Sequence, residues 1–307
     1  ASSREQQENF GASMAKHLAG IIPLANFDDN YKLPYDSFML PIQNDFTLIQ
    51  KSVFECAMAG CSTIWIVAND DLAPLVKKHI GEWVYDPVYF WDNYINNHIV
   101  QRRTHIPIYY VPILPKDRDR RDSYGWSALF GMHSAWWVSF RISKWVIPKK
   151  YFVSFPHNAY DFWTLREHRK QLFNTTKNFF FTHEGKTVKD NLPIPFTMRG
   201  EDFIQCRREV NRLTTKEYGP LGEGETWIDL KKLPAADRWS ARHFDLSTIF
   251  DKVSEDECFR QELDWFYDLR EWDGYRAYLA SDNLVESPNW RLTKPHQLNR
   301  LCQEDEE

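Results

Sequence analysis

His157 closes an apolar run at residues 151–155 that has the composition of a buried strand. An imidazole at a strand terminus is a candidate ligand or acid/base group, and equally a hydrogen-bonding structural histidine. A second group of reactive types is basic: Arg102-Arg103, and the charged stretch 116–121 with Arg118, Arg120 and Arg121. These could grip phosphates or form an exposed basic loop. A third is acidic. Asn26-Phe27-Asp28-Asp29-Asn30 follows an apolar segment at the place where a βαβ unit holds a nucleotide, and two carboxylates there would repel a triphosphate unless a metal bridged them. The five cysteines (Cys56, Cys61, Cys206, Cys258 and Cys302) form no CxxC or Cys/His metal pattern. Buried free thiols are the expected state for Cys56 and Cys61. No Ser/His/Asp or Cys/His spacing suggests covalent catalysis, and no HExxH or Walker A motif occurs.

The elements that must position these groups follow from periodicity. A strand at 19–25 runs into a loop ending in Leu40-Pro41-Ile42. A helix over about 46–59, a Gly-Cys turn and a strand at 63–67 ending in Ala68-Asn69-Asp70 complete a βαβ unit. Beyond it the pattern predicts a short helix at 71–79, an aromatic irregular stretch at 81–94, a strand at 106–113 and a long helix at 123–142. A strand at 151–155, a helix at 165–174, a strand at 179–182 and a helix from Glu201 follow. Gly219 to Gly224 (GPLGEG) reads as a loop or hinge. After it come a short run, Thr226-Trp227-Ile228-Asp229-Leu230, and two helical segments near 246–253 and 256–270. The expected division is a polar arm at 1–16, an α/β domain at 17–195 and an α+β part at 196–307 packed on it.

Hydrophobic content of 43% with 26% charged residues is ordinary for a globular protein, whereas 16% aromatic content with 13 Trp is high and 12 Gly is low. Large side chains building the core account for most of that excess, and aromatic surfaces for sugars or bases are the functional alternative. A net charge of −5 argues against a dedicated nucleic-acid binder. No apolar run approaches the roughly 18 residues of a membrane span. The polar start, without a signal-peptide core, gives a cytoplasmic expectation.

The segment LAGIIPLANFDDNYKLPYDSFMLPIQNDFTLIQKSVFECAMAGCSTIWIVANDD (residues 18–71) resembles the opening of the sugar nucleotidyltransferases, and the resemblance covers roughly the first 165 residues. It implies a three-layer α/β sandwich with a mixed, mostly parallel sheet of the GT-A-like type. The family's G-x-G-T-R loop would fall on Ala25, Asn26 and the residues after them, with Lys32 near its Arg. Its Lys before L-x-P-I falls at Asp36 or Ser37, neither of which replaces a cation. Ser123-Tyr124-Gly125-Trp126-Ser127-Ala128-Leu129 is similar to the family's G-x-x-x-A-L segment. That implies a base or ribose on Gly125, Trp126 and Ser127, with Ser127 capping or hydrogen-bonding, and phosphates flanked by Arg118, Arg120 and Arg121. The strand at 151–155 stands where the family's metal-binding Gly-Asp strand lies. With the W-x-D of residues 227–229, it implies Mg2+ held by Asp161 or Asn158 together with Asp229, Asp161 being the ligand the reaction is assigned to.

The implied reaction joins a nucleoside triphosphate to a sugar-1-phosphate with release of pyrophosphate. Loss of the loop glycines and lysine supplies the alternative: a catalytically inactive protein of this fold, a binding or assembly component that uses protein partners or self-association. The phrases CAMAGCSTIWIVANDD, PKDRDRRDSYGWSAL and KYFVSFPHNAYD are also similar to nucleotidyltransferase-like proteins encoded by marine tailed phages, which implies host cytoplasm or a virion as the setting.

Overall fold

The computed structural model describes residues 17–24, 31–87, 105–115, 123–142, 147–174, 176–215 and 244–285. The strands are β1 (Leu18–Pro23), β2 (Pro41–Gln43), β3 (Phe46–Thr47), β4 (Thr63–Asn69), β5 (Trp83–Tyr85), β6 (His105–Ile113), β7 (Lys150–Val153), β8 (Asn158–Tyr160), β9 (Phe179–Thr182), β10 (Phe196–Arg199), β11 (Phe259–Glu262) and β12 (Phe266–Asp268). The helices are α1 (Leu48–Ala59), α2 (Ala73–Ile80), α3 (Tyr124–Ile142), α4 (Thr164–Asn174), α5 (Gly200–Thr215), α6 (Leu246–Phe250) and α7 (Trp272–Leu279).

Eight strands make one sheet in the order β11-β9-β10-β7-β1-β4-β6-β5. β7, β1, β4 and β6 are parallel. β10 runs antiparallel to β7 and β9, β11 parallel to β9, and β5 antiparallel to β6. The sheet is therefore mixed and mostly parallel, and the fold is α/β. All six residues of β1 are buried, as an interior parallel strand with both faces covered requires. The β1–α1–β4 and β6–α3–β7 crossovers travel in opposite directions along the sheet. Right-handed connections then place α1 and α3 on opposite faces. α4 packs on α1, while α5 and α6 pack on α3, giving three layers.

α1 begins at a capping box in which Thr47 and Gln50 satisfy each other's backbone N–H groups, and it ends at Gly60, whose φ of 89° is left-handed. All twelve of its residues are buried, so the helix has no water-facing stripe. Lys51 and Glu55 are carried into the interior with the rest.

The C-terminal part differs from expectation. Residues 256–270 are not a helix; they form β11 and β12. Leu263, Phe266 and Leu269 are buried at intervals of three, which imitates a helical face, but Phe259–Glu262 are extended and paired with β9, and Phe266–Asp268 with β8. Residue 195, the expected end of the α/β domain, immediately precedes β10, and both β10 and β11 lie within the sheet. β5, β8, β10 and α7 are absent from the sequence reading. The arm at 1–16, the glycine-rich stretch at 219–224 and the run at 226–230 lie outside the described residues. Among the described residues no helix is long and apolar enough to cross a membrane.

Candidate functional site

The parallel strands bring the ends of β7, β1, β4 and β6 to one edge of the sheet, where α/β folds bind ligands. Leu24 continues β1 there, its N–H donating to Val67 O at 2.8 Å. The segment after β7 is more enclosed than a strand end open to ligand. Ser154 extends the ladder, its N–H donating to Ile21 O at 3.0 Å, while Phe155, His157, Asn158 and Tyr160 are all fully buried.

His157 is a junction of three segments. Its Nε2 lies 2.7 Å from Ser37 Oγ in the loop after β1, and its Nδ1 lies 3.3 Å from the Tyr124 hydroxyl in the first turn of α3. Its carbonyl accepts the Leu269 N–H at 3.1 Å. Burial, with smaller contributions from Lys51 and Arg270, pushes its pKa down to about 3. The imidazole is therefore neutral near pH 7 and serves as a hydrogen-bonding junction, the structural alternative of the two that the sequence left open.

Beside it, Lys51 and Glu55 form an ion pair at 2.6 Å with both side chains fully buried. Lys51 Nζ also donates to Asn158 Oδ1 at 2.5 Å and lies over the Tyr160 ring, 5.5 Å from its centroid. The Ser154 hydroxyl donates to the second Glu55 oxygen, and Asn158 Nδ2 donates to Pro193 O. Burial lowers the Lys51 pKa, and Glu55 opposes that shift. The hard oxygens nearest the end of β7 are thus engaged by an amine and a hydroxyl from α1 and β7's own extension.

Asp161 is exposed at the entrance to α4, where its Oδ1 accepts the Trp163 N–H at 3.0 Å. Its neighbour Phe162 packs on Phe46 and Phe54, on the α1 side of the sheet. Gly125, Trp126 and Ser127 belong to α3, on the other side. A Cβ on Gly125 would lie 2.9 Å from Ile249 Cγ1, so close packing with α6 already accounts for the glycine. Trp126 is mostly buried and stacks on Phe130 at 5.0 Å. Ser127 does not cap α3. The Ser123 hydroxyl does, accepting the Trp126 N–H at 3.1 Å, and Ser127 Oγ donates back to Ser123 O. Lys32 is exposed, with a left-handed φ of 52°. Ala25, Asn26, Arg118, Arg121 and Asp229 lie outside the described residues.

Among the described residues no group of three or more His, Cys, Asp or Glu side chains could hold a metal ion. Asn158 and Glu55 are bonded to Lys51, and Asp161 is exposed with its Oδ1 accepting the Trp163 N–H, so of the residues expected to hold Mg2+ the described ones bring Asp161 alone to an exposed position. Sequence reasoning missed the Lys51–Glu55 pair. Its signal was a polar pair at i and i+4 in a helix with no polar face. It also missed the cover formed by residues 266–279.

No protein-family model matches the sequence, and no curated protein does. Solved structures do match in fold. A glucose-1-phosphate thymidylyltransferase from Bacillus anthracis, in complex with sucrose, aligns over 88% of this chain and 98% of its own with a TM-score of 0.52 and 9% identity. The chain has a sugar-nucleotidyltransferase-like fold. A UDP-glucose pyrophosphorylase complexed with UDP-glucose aligns over 86% of this chain and 97% of its own, with a TM-score of 0.47 and 13% identity. At such identities a nucleotidyltransferase-like likeness is one of architecture, and individual site residues are not carried across by it.

Proposed function

We propose that this nucleotidyltransferase-like protein holds a nucleoside triphosphate and a sugar-1-phosphate at the carboxyl edge of β7, β1, β4 and β6 and joins them, releasing pyrophosphate. The observation that supports this reading is the convergence of the β1 end, the β6 end and the first turn of α3 on that edge of a parallel sheet. A sugar-phosphate oxygen would attack the α-phosphorus in line as the bond to pyrophosphate breaks. Lys32, Arg118 and Arg121 are the cations proposed to balance the phosphate charge. The nucleotide falls to the segments containing Ala25, Asn26, Gly125, Trp126 and Ser127. Asp161 and Asp229 are the carboxylates proposed to make turnover depend on Mg2+. Pyrophosphate release measured across nucleotides and sugar phosphates is expected to require Mg2+ and to collapse in Asp161→Ala. Unchanged turnover in that variant removes Asp161 from the site.

A second reading, a catalytically inactive binding or assembly component such as a phage would encode, is favoured by one observation. The oxygens at the end of β7 are bonded to Lys51 and Ser154 in the interior. A thermal-shift screen separates the two, because a ligand at 100 times its Kd adds about 2.7 kcal/mol of stability. No shift with any nucleoside triphosphate and Mg2+, together with self-association in sedimentation, supports the second reading. A shift accompanied by pyrophosphate release eliminates it.

A further inference from the structure

Two segments distant in sequence build an aromatic surface beside the carboxyl edge. Tyr31, from the loop after β1, meets Trp272 of α7 edge to face with centroids 5.6 Å apart, and Tyr275 at 6.2 Å. Trp272 and Tyr275 lie 5.8 Å apart. The Tyr31 hydroxyl donates to Leu269 O at 2.7 Å and to Glu271 O at 3.1 Å, fixing the residue before the tryptophan. The Tyr275 hydroxyl donates to Pro41 O at 2.6 Å. Tyr31 and Tyr275 are buried by these contacts, whereas Trp272 remains 45% exposed and Tyr35 remains 51% exposed. The indole is thus backed by two tyrosines and still presents nearly half its surface to water.

The charges around it narrow what that surface suits. Glu271 and Asp273 flank Trp272, and both are exposed. Asp273 has one loose pairing, with Arg276 Nη1 at 3.7 Å, and remains mostly in water. Lys32, adjacent to Tyr31, is exposed and is the residue held at a φ of 52°. A pyranose ring has an apolar C–H face and a rim of hydroxyl donors. The C–H face suits the electron-rich face of an indole, and carboxylates accept from the rim. A nucleoside triphosphate stacked by its base would instead bring its phosphates toward two like-charged carboxylates. Lys32 follows Tyr31, which packs on Trp272, so an ammonium is carried by the same short segment, and an ammonium suits a single phosphate.

We propose that Trp272, Glu271, Asp273 and Lys32 form a subsite for the pyranose ring of a sugar phosphate. It rests on the sugar-phosphate half of the function proposed above and names the residues that would recognise the sugar. The test is calorimetric titration and saturation-transfer NMR on the full chain, with glucose-1-phosphate and methyl α-glucoside as probes. Wild-type protein is expected to bind both, the phosphate more tightly. Trp272→Ala should weaken both by about tenfold or more, Trp272→Phe should retain most of the binding, and Lys32→Ala should weaken glucose-1-phosphate alone. Glu271→Gln, at an exposed side chain, carries the same test if Trp272→Ala does not fold. Wild-type affinity in Trp272→Ala, or no binding of either probe by wild type, overturns the subsite. Equal affinity for the two probes overturns its assignment to a phosphate. A nucleotide thermal shift that persists in wild type without sugar binding defeats this subsite while leaving the nucleotide half of the proposed function in place.

Discussion

Ser37, Tyr124 and Leu269 come from three separate segments, and all bond to His157. Because burial holds its folded pKa at about 3 against an unfolded value of ~6.5, the sign of its pH effect is fixed. Above pH ~6.5 both states are neutral at this group and it carries no penalty. As pH falls below ~6.5 the unfolded chain takes up a proton that the folded chain refuses, so stability is lost progressively down to about pH 3. Denaturant titrations of wild type and His157→Asn should therefore show the stability gap between them shrinking by about 2 kcal/mol from pH 7.5 to pH 5. A pH-independent gap would mean that the folded imidazole titrates where the unfolded one does, and a gap that widens toward pH 5 would mean that it is held charged in the folded state. The sequence could place His157 at a strand end but could not choose its role. The choice depends on Ser37, 120 positions away, and on Tyr124, 33 away. The same distance effect hid Lys51, whose partner Asn158 is 107 positions along the chain.

At the scale of elements, legibility followed locality. β1, α1 and β4 were readable because each is an apolar run or carries its own cap and glycine stop, and α3 because its periodicity is sustained over nineteen residues. β11 and β12 were not, since β11 has no buried residue and is defined by its pairing with β9. The seating of α7 on β12 is similarly invisible in sequence, and it is tight. A Cβ on Gly274 would fall 1.8 Å from the Asp268 carbonyl oxygen, a backbone atom that no rotamer change can move aside. Gly274→Ala should gain at most about 1 kcal/mol of helix propensity and lose about 3 kcal/mol or more to this overlap. Equilibrium unfolding checks the sign, and a stabilised variant would show that α7 is free to lift from β12.

The whole molecule depends on its last described segment. Residues 244–285 supply the edge strand β11, the cover over the β7 end, and Phe250, which packs on Phe155 and on Phe196. A chain ending at residue 243 is accordingly expected to yield no compact monomer, as judged by size-exclusion chromatography and limited proteolysis. A protease-resistant monomer of that length would show that the sheet is complete without β11.

The pairing of β11 with β9 also sets a schedule for synthesis. Thr182 meets Glu262, 80 residues later, across that pairing. At about 5–20 residues per second a ribosome takes roughly 4–16 s to make the intervening chain. For that interval the Phe179–Thr182 strand, FFFT, has β10 available on one side and an open backbone edge on the other. Nascent chains crowded on one message would meet edge to edge at this strand, and slower translation of residues 183–262 would lengthen their exposure.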